Sequence, residues 1–319
     1  MLEDAYNEET KTYNFTPMFG NIKGFIQRSD ITLGTMETNF VNGNYSGYGK
    51  RNSPKEFAQA VKESGINLVS ISHNHSLDYG KEGIEDTKKL LTKTGFDVVG
   101  DSINEEGRIK IKTVKNVKIA FLAYTYGVED QDNKSSEDLG YINIFNKEQV
   151  KKDLEQAKEQ SDFIFVIMHW GDENSNTVND EQKEMANYLI ENGANVILGN
   201  HAATVQPMEI KKNKDGENVF VAYSLGNYIS SIDNEKSKVE LVLNIELRKK
   251  GDTGEVVLSK VDYTPIYVLD NGENAENRYQ LIDMKGTAKQ YASGDTDIIS
   301  KEQYDKLLDG LDLLERLIK

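Results

Sequence analysis

Cysteine is absent from all 319 residues. Thiolate metal sites, cysteine nucleophiles and disulfides are therefore excluded, while the compartment stays open, because a protein outside the cell need not use disulfides. No apolar run approaches the ~20 residues that span a bilayer, and Met1-Leu2-Glu3-Asp4 has none of the features of a signal peptide. Two expectations follow: a soluble protein, or one whose export segment lies upstream. Positive charge is also scarce, with 38 Lys and Arg against 53 Asp and Glu and a net charge of -15. This argues against binding nucleic acid or anionic lipid through a general basic surface, so a polyanionic ligand has to be held locally. The lysines that exist, such as Lys11, Lys50, Lys62, Lys88, Lys89 and Lys93, are scattered and keep helix faces solvated. No linker rich in proline, glycine or serine and no internal repeat interrupts the chain up to about residue 265, which suits one large α/β domain.

What is present is organised around residues 163–206. The β-branched apolar run from Phe163 to Met168 suits a buried strand and stops at His169-Trp170-Gly171; a second run, Asn195 to Leu198, stops at Gly199-Asn200-His201. Between them Met185, Leu189 and Ile190 fall at helical spacing before Gly193, which predicts a strand-helix-strand crossover of parallel strands. Parallel strands carry the loops after their carboxyl ends to one edge of the sheet, so the two histidines should be neighbours.

Upstream, the pattern predicts a short helix within 14–29, a strand over 30–36 ahead of Glu37, and a helix over 53–64 with Ser53 as N-cap and Pro54 first. A strand over 66–72 then runs into His73-Asn74-His75-Ser76-Leu77-Asp78. A helix over 81–94, a strand over 96–99 and a hairpin turned at Lys115-Asn116 come next, followed by a polar loop over 127–141 and a helix over 147–160. Beyond the central stretch, strands are expected over 207–212 and 219–223. An alternating antiparallel pair is expected over 241–247 and 256–268, with a loop over 270–298. An amphipathic helix over 301–319 carries Leu307, Leu308, Leu311, Leu314 and Leu317 and should dock on the body or on a partner. Parallel crossovers early and antiparallel hairpins later predict an α/β fold of two packed mixed sheets with helices outside, a four-layer αββα sandwich.

All four histidines, His73, His75, His169 and His201, fall in loops predicted to follow strands. Imidazole is the commonest ligand of zinc, manganese or iron, and such a gathering points to a metal site. Glu37, Asn74 and Asp78 supply oxygen donors at the same edge, with Glu37 the candidate bridge of a two-ion site. Arg51 precedes a helix N-terminus, where its guanidinium and free N–H groups would hold a carboxylate or phosphate. Taken singly, Glu37 and Arg51 also fit ordinary solvated charges. Ser224-Leu225-Gly226-Asn227 fits a tight turn in which Gly226 takes a positive φ.

Five motifs stand in order: Leu33-Gly34-Thr35-Met36-Glu37-Thr38, the 73–78 turn, His169-Trp170-Gly171-Asp172-Glu173, Gly199-Asn200-His201 with Val205-Gln206-Pro207-Met208-Glu209, and Tyr223-Ser224-Leu225-Gly226-Asn227. Over about residues 5–268 this series resembles the CapA family of poly-γ-glutamate capsule synthesis proteins, a branch of the calcineurin-like metallophosphoesterase superfamily. The resemblance implies a metallophosphoesterase-like αββα fold. It also implies a protein at the extracellular face of the bacterial membrane, anchored by an N-terminal segment. Carried across, it makes Glu37, Asn74, His169 and His201 metal ligands, His75 a catalytic candidate, and Ser224, Gly226 and Asn227 part of a loop lining the same cleft; by their positions Asp78 joins His75 as a catalytic candidate and Arg51 joins the substrate-binding residues. Two departures stand out. The family's Gly-Asp pair on the first strand is missing, and its His-Pro-His motif reads His201-Ala202-Ala203 here, so one divalent ion or none is expected.

The domain expectation is a unit over 1–268, its first strand upstream, followed by a loop and helix over 269–319. Three functions are carried forward. The first is an accessory of capsule polymer synthesis or export that meets poly-γ-glutamate, or another anionic polymer, and membrane-bound synthesis subunits. The second is a metal-dependent hydrolase of phosphoesters or a related bond, and the third a non-catalytic scaffold with a degenerate site.

Overall fold

The computed structural model describes every residue except 233, 274 and 319, so the last position of the expected tail helix lies outside the described residues. A small hairpin of β1 (Tyr6–Asn7) and β2 (Thr12–Tyr13) opens the chain. Three parallel strands follow, β3 (Leu33–Thr35), β4 (Leu68–Ser70) and β5 (Asp97–Val99), linked by the helices Lys55–Ser64 and Gly80–Thr94. A hairpin of β6 (Lys110–Val114) and β7 (Val117–Thr125) turns at Lys115 and Asn116, whose φ angles of 47° and 64° are the two positive values that a tight hairpin turn demands. The central crossover runs β8 (Phe163–Trp170), helix Asp180–Glu191, β9 (Val196–His201). Then come β10 (Met208–Lys212), β11 (Asn218–Ala222), β12 (Val239–Lys249), β13 (Val256–Asp270) and β14 (Tyr279–Asp283), and the helices Met284–Ala292 and Lys301–Leu317.

The strands form a six-stranded mixed sheet ordered β10-β11-β9-β8-β7-β6 and, opposite it, two three-stranded sheets, β3-β4-β5 and β12-β13-β14. Between the layers Phe121, Phe165, Ile167 and Phe220 meet Leu68, Val99, Leu243 and Ile245. The other face of the six-stranded sheet is covered by the helices Lys147–Gln160 and Asp180–Glu191 through Leu154, Leu189 and Ile190. Beyond the divided layer, Ala58, Val61 and Leu91 cover one half, and Leu307 and Leu314 cover the other. The order helix, sheet, sheet, helix is the four-layer αββα sandwich.

Several local expectations fail for identifiable reasons. Residues 14–29 do not form one helix: a 3-10 turn Thr16–Phe19 and a helix Lys23–Ile26 are separated around Gly20, and two glycines in one short stretch weaken a continuous helix. Ser53 is not the N-cap of the next helix; Pro54 holds that position, and the Ser53 hydroxyl instead lies 2.9 Å from that of Thr38. Residues 270–298 are not a loop. β14 pairs with β13, which itself runs through residue 268, and Asp283 caps the helix that follows. The tail helix docks on the body, started by a Ser300 and Gln303 capping box.

The divided layer leaves a gap. Among the described residues β3 pairs only with β4 and β12 only with β13, so each half, besides its outer edge strand, leaves an edge unpaired at the gap. Both edges line the same cavity of about 1730 Å³, with Phe121 and Phe165 on its floor and Met1 and Leu2 on its wall. Its lining also includes Glu37, Arg51 and His201.

Candidate metal centre

The parallel strands of both layers end on one rim, and the polar motifs are their exits. β3 leads to Glu37, β4 to the 73–78 turn, β7 to Tyr126–Glu129 and β11 to the 224–227 turn. His169 and His201, expected in loops, are the closing residues of β8 and β9 themselves. Register places His169 opposite Asn200, so their side chains share a face. Strand alternation would then send His201 to the other face. A φ of 94° at His201 breaks the alternation, and its ring stands 4.6 Å from that of His169. A positive φ at a residue with a branched ring costs about 1–3 kcal/mol and is held only where the surroundings enforce it. His73 completes the cluster from below, 6.0 Å from His169 ring to ring.

His169 is fully buried between two amide oxygens: Nδ1 faces Oδ1 of Asn200, and Nε2 lies 2.9 Å from Oδ1 of Asn74. Both amides are oriented by their other ends. Nδ2 of Asn74 donates to Glu129 at 2.7 Å, and Nδ2 of Asn200 donates to the Thr35 hydroxyl at 2.9 Å. Burial pushes the His169 pKa down to about 3, assisted by the positive charge of Arg51 and outweighing the Asn200 bond. The ring is therefore neutral, with one N–H for two facing oxygens. Once Nδ1–H is given to Asn200, the Nε2 lone pair confronts the lone pair of Asn74.

That confrontation fits a cation. Glu37 Oε1 is 3.9 Å from His169 Nε2, and one donor atom from each of Glu37, His169 and His201 falls within 4.8 Å of the others. Tetrahedral ligands with bonds of about 2.1 Å stand about 3.4 Å apart, so the set would close by an ångström or more at its widest pair to hold an ion. His201 is also held neutral, its pKa pushed down to about 3 by burial and then by His169, and its buried Nδ1 has no partner among the described residues. Neutral imidazoles are the form that binds metal. Arg51 pairs with the same Glu37 oxygen, so the carboxylate is already neutralised from the cavity side.

The other candidates divide. His75 Nδ1 lies 3.0 Å from Asp78 Oδ2, which also accepts the Arg51 backbone N–H at 2.8 Å, so Asp78 fixes both His75 and the Arg51 loop. Gly226 and Asn227 line the cavity. Ser224 is fully buried and spent inside its own turn, its hydroxyl accepting the Gly226 N–H at 3.2 Å. Gly226 has a φ of 91°, and a Cβ there would collide with the Glu240 carboxyl. Glu240 is fully buried; its Oε2 accepts the Tyr228 N–H at 3.1 Å, and its Oε1 has no partner among the described residues. Burial raises its pKa well above the ordinary carboxylate range.

Sequence reasoning missed Asn200, Glu129, Tyr126 and Glu240. Asn200 lies inside the Gly199-Asn200-His201 motif, where its amide could have been weighed beside the imidazole. Tyr126 precedes the polar loop and Glu129 lies within it; the Tyr126 ring is 5.1 Å from that of His201, its pKa pushed up to about 12 by burial and by Glu129.

Fold and rim together define an αββα sandwich protein with a histidine, carboxylate and amide centre at the carboxyl ends of its parallel strands. Residues 1–232 match the profile of the bacterial capsule synthesis protein family PGA_cap, and the chain belongs to that family. It is 25% identical over 273 residues to the capsule biosynthesis protein CapA of Bacillus anthracis, covering 82% of this chain and 64% of that protein. It is 26% identical over 252 residues to the PGA biosynthesis protein CapA of Bacillus subtilis (strain 168), covering 77% and 64%. This chain thus spans a little under two thirds of the length of either relative. Similar solved structures include a hypothetical protein from Thermus thermophilus (TM-score 0.48, 16% identity, 78% of this chain and 92% of that one). Another is the Haemophilus influenzae NAD nucleotidase (TM-score 0.45, 15% identity, 82% and 48%). Among the described residues no helix is long and apolar enough to cross a membrane.

Proposed function

We propose that this chain serves capsule polymer synthesis or export as an accessory outside the cell membrane, gripping an anionic polymer of the poly-γ-glutamate kind at a metal-supported cleft. The observation that carries the reading is the meeting of Glu37, His169 and His201 beside a cavity that Glu37, His201 and Arg51 line, in a chain of the capsule synthesis family. Glu37, Asn74, His169 and His201 would hold a divalent ion such as manganese, zinc or iron. The ion would supply a positive charge able to meet carboxylate groups that the acidic surface otherwise repels. Arg51 adds a fixed guanidinium beside it. Membrane-bound synthesis subunits are the partners this role implies, and attachment through an N-terminal segment is its expected anchor. The two unpaired edges support a further element of the proposal: an extended strand fills the gap between them.

Titration of poly-γ-glutamate into the protein, with and without Mn²⁺, tests the reading. Metal-dependent binding that an Arg51→Ala variant weakens is expected; no binding under either condition overturns the direct polymer contact.

A second reading, a hydrolase, is favoured by one feature: the His75 and Asp78 pair is oriented as a proton-donating imidazole backed by a carboxylate would be. Turnover of generic phosphoesters that His75→Ala abolishes would support it, and equal turnover in the two proteins would end it. In the scaffold reading the C-terminal helix would meet partners through its charged face, since its apolar face is buried on the body.

A further inference from the structure

Asn74 presents its oxygen to the centre because something holds its nitrogen. An asparagine amide is nearly symmetric in shape, so rotation by half a turn exchanges an acceptor for a donor at almost no steric cost. The two orientations are chemically opposite here. With Oδ1 toward His169, two lone pairs converge and a cation is welcome. With the NH₂ toward His169, Nδ2 would donate to Nε2, and both groups would be consumed by one neutral hydrogen bond.

We infer that Glu129 is the positioning residue that sets this orientation, and that it makes the centre ready for metal. Its Oε1 accepts the Asn74 Nδ2–H at 2.7 Å, and a carboxylate accepts only, so it selects the NH₂ end. The loop that carries it is braced on both layers. The Tyr126 N–H donates to the His169 carbonyl at 2.9 Å, the Glu129 N–H donates to the Asn74 carbonyl at 2.8 Å, and Val128 is buried in the core. Side chain and main chain of Glu129 thus grip the same asparagine. The main-chain grip survives replacement of the side chain, so Glu129→Ala tests the orientation and not the loop. Partners of this kind, one bond removed from a metal, are worth ~10–100-fold in affinity.

This inference rests on the metal reading above, and the test separates the two. Mn²⁺ alone is titrated calorimetrically into wild type, Glu129→Ala, Glu129→Gln, Asn74→Asp and the Asn74→Asp/Glu129→Ala double variant. Glu129→Ala is expected to lose roughly 10-fold or more, and Glu129→Gln to keep most of the affinity because its amide oxygen still accepts. The carboxylate introduced by Asn74→Asp has two acceptor oxygens and nothing to orient, so in that background removing Glu129 should leave affinity unchanged or raise it. Wild-type affinity in Glu129→Ala, or a loss on removing Glu129 that is as large in the Asn74→Asp background as with Asn74 in place, overturns the assignment. A second readout needs no metal: in the free protein an N–H···N scalar coupling between Asn74 Nδ2 and His169 Nε2 should appear on Glu129→Ala and be absent in wild type. If wild type binds no Mn²⁺ the metal reading falls, and Glu129 is judged on that coupling alone; its absence in Glu129→Ala then overturns the proposal.

Discussion

The two β layers of this protein are built to different standards of closure. The six-stranded sheet is continuous, covered on both faces, and its central strands β7, β8 and β9 are buried nearly end to end. The opposite layer is two half-sheets with a gap between β3 and β12. The centre straddles the two: His169 and His201 rise from the continuous sheet, while Glu37 and the Asn74 turn follow strands of the divided one. Within the candidate ligand set Glu37 and His201 line the cavity, while Asn74 and His169 are buried behind them.

The difference should be measurable, first in stability. Leu122, fully buried in β7, is expected to cost about 2–5 kcal/mol on replacement by alanine. Ile245, which faces the cavity from β12, should cost less than about 1 kcal/mol, since part of its surface is already open. Denaturant melts that gave the two variants equal losses would erase the contrast. Next in size, Asn200→Ala removes the partner of His169 Nδ1 and should lower metal affinity ~10–100-fold, with a loss of about 1–3 kcal/mol in stability from the buried N–H left unpaired.

Glu240 sharpens the comparison from the divided side. Its folded pKa lies above the ordinary 4.5. The stability it contributes is thus fully present below that value, where the carboxyl is neutral in both states, and is lost as pH rises through the folded pKa. Glu240→Gln, which can still accept the Tyr228 N–H, should therefore stabilise the protein by about 1 kcal/mol near pH 7. That gain should vanish below pH 4.5. A thermal melt showing Glu240→Gln less stable at neutral pH would mean that the ionised carboxylate is required. Smallest in energy, backbone amides on the free edges of β3 and β12 should exchange with solvent faster than those of β8.

Much of this organisation is legible in the residues. Apolar runs closed by His169 and by Asn200-His201, separated by one helical period and Gly193, dictate a parallel crossover and bring the two imidazoles together. The rest is hidden for physical reasons. Glu240 sits in a clean alternation with Leu241 and Leu243 that assigns it to solvent; it is buried because the 226–228 turn folds over the start of β12, a contact no local pattern encodes. β14 and the helix after it carry Tyr279, Leu281, Ile282 and Met284 in a stretch too short to show either period. Glu129 reads as one more acid in a polar loop, since only the fold brings it to Asn74. The turn of His201 onto the His169 side depends on a backbone angle, which sequence spacing does not reveal.

One small contact couples the cleft to the gap in the sheet. Because the Glu240 carboxyl is bonded to the Tyr228 amide and Gly226 can bear no side chain against it, the turn facing the cleft and the first residues of β12 move as a single part. An element seated against the free border of β12 would therefore bear on the wall of the cleft through this one carboxyl.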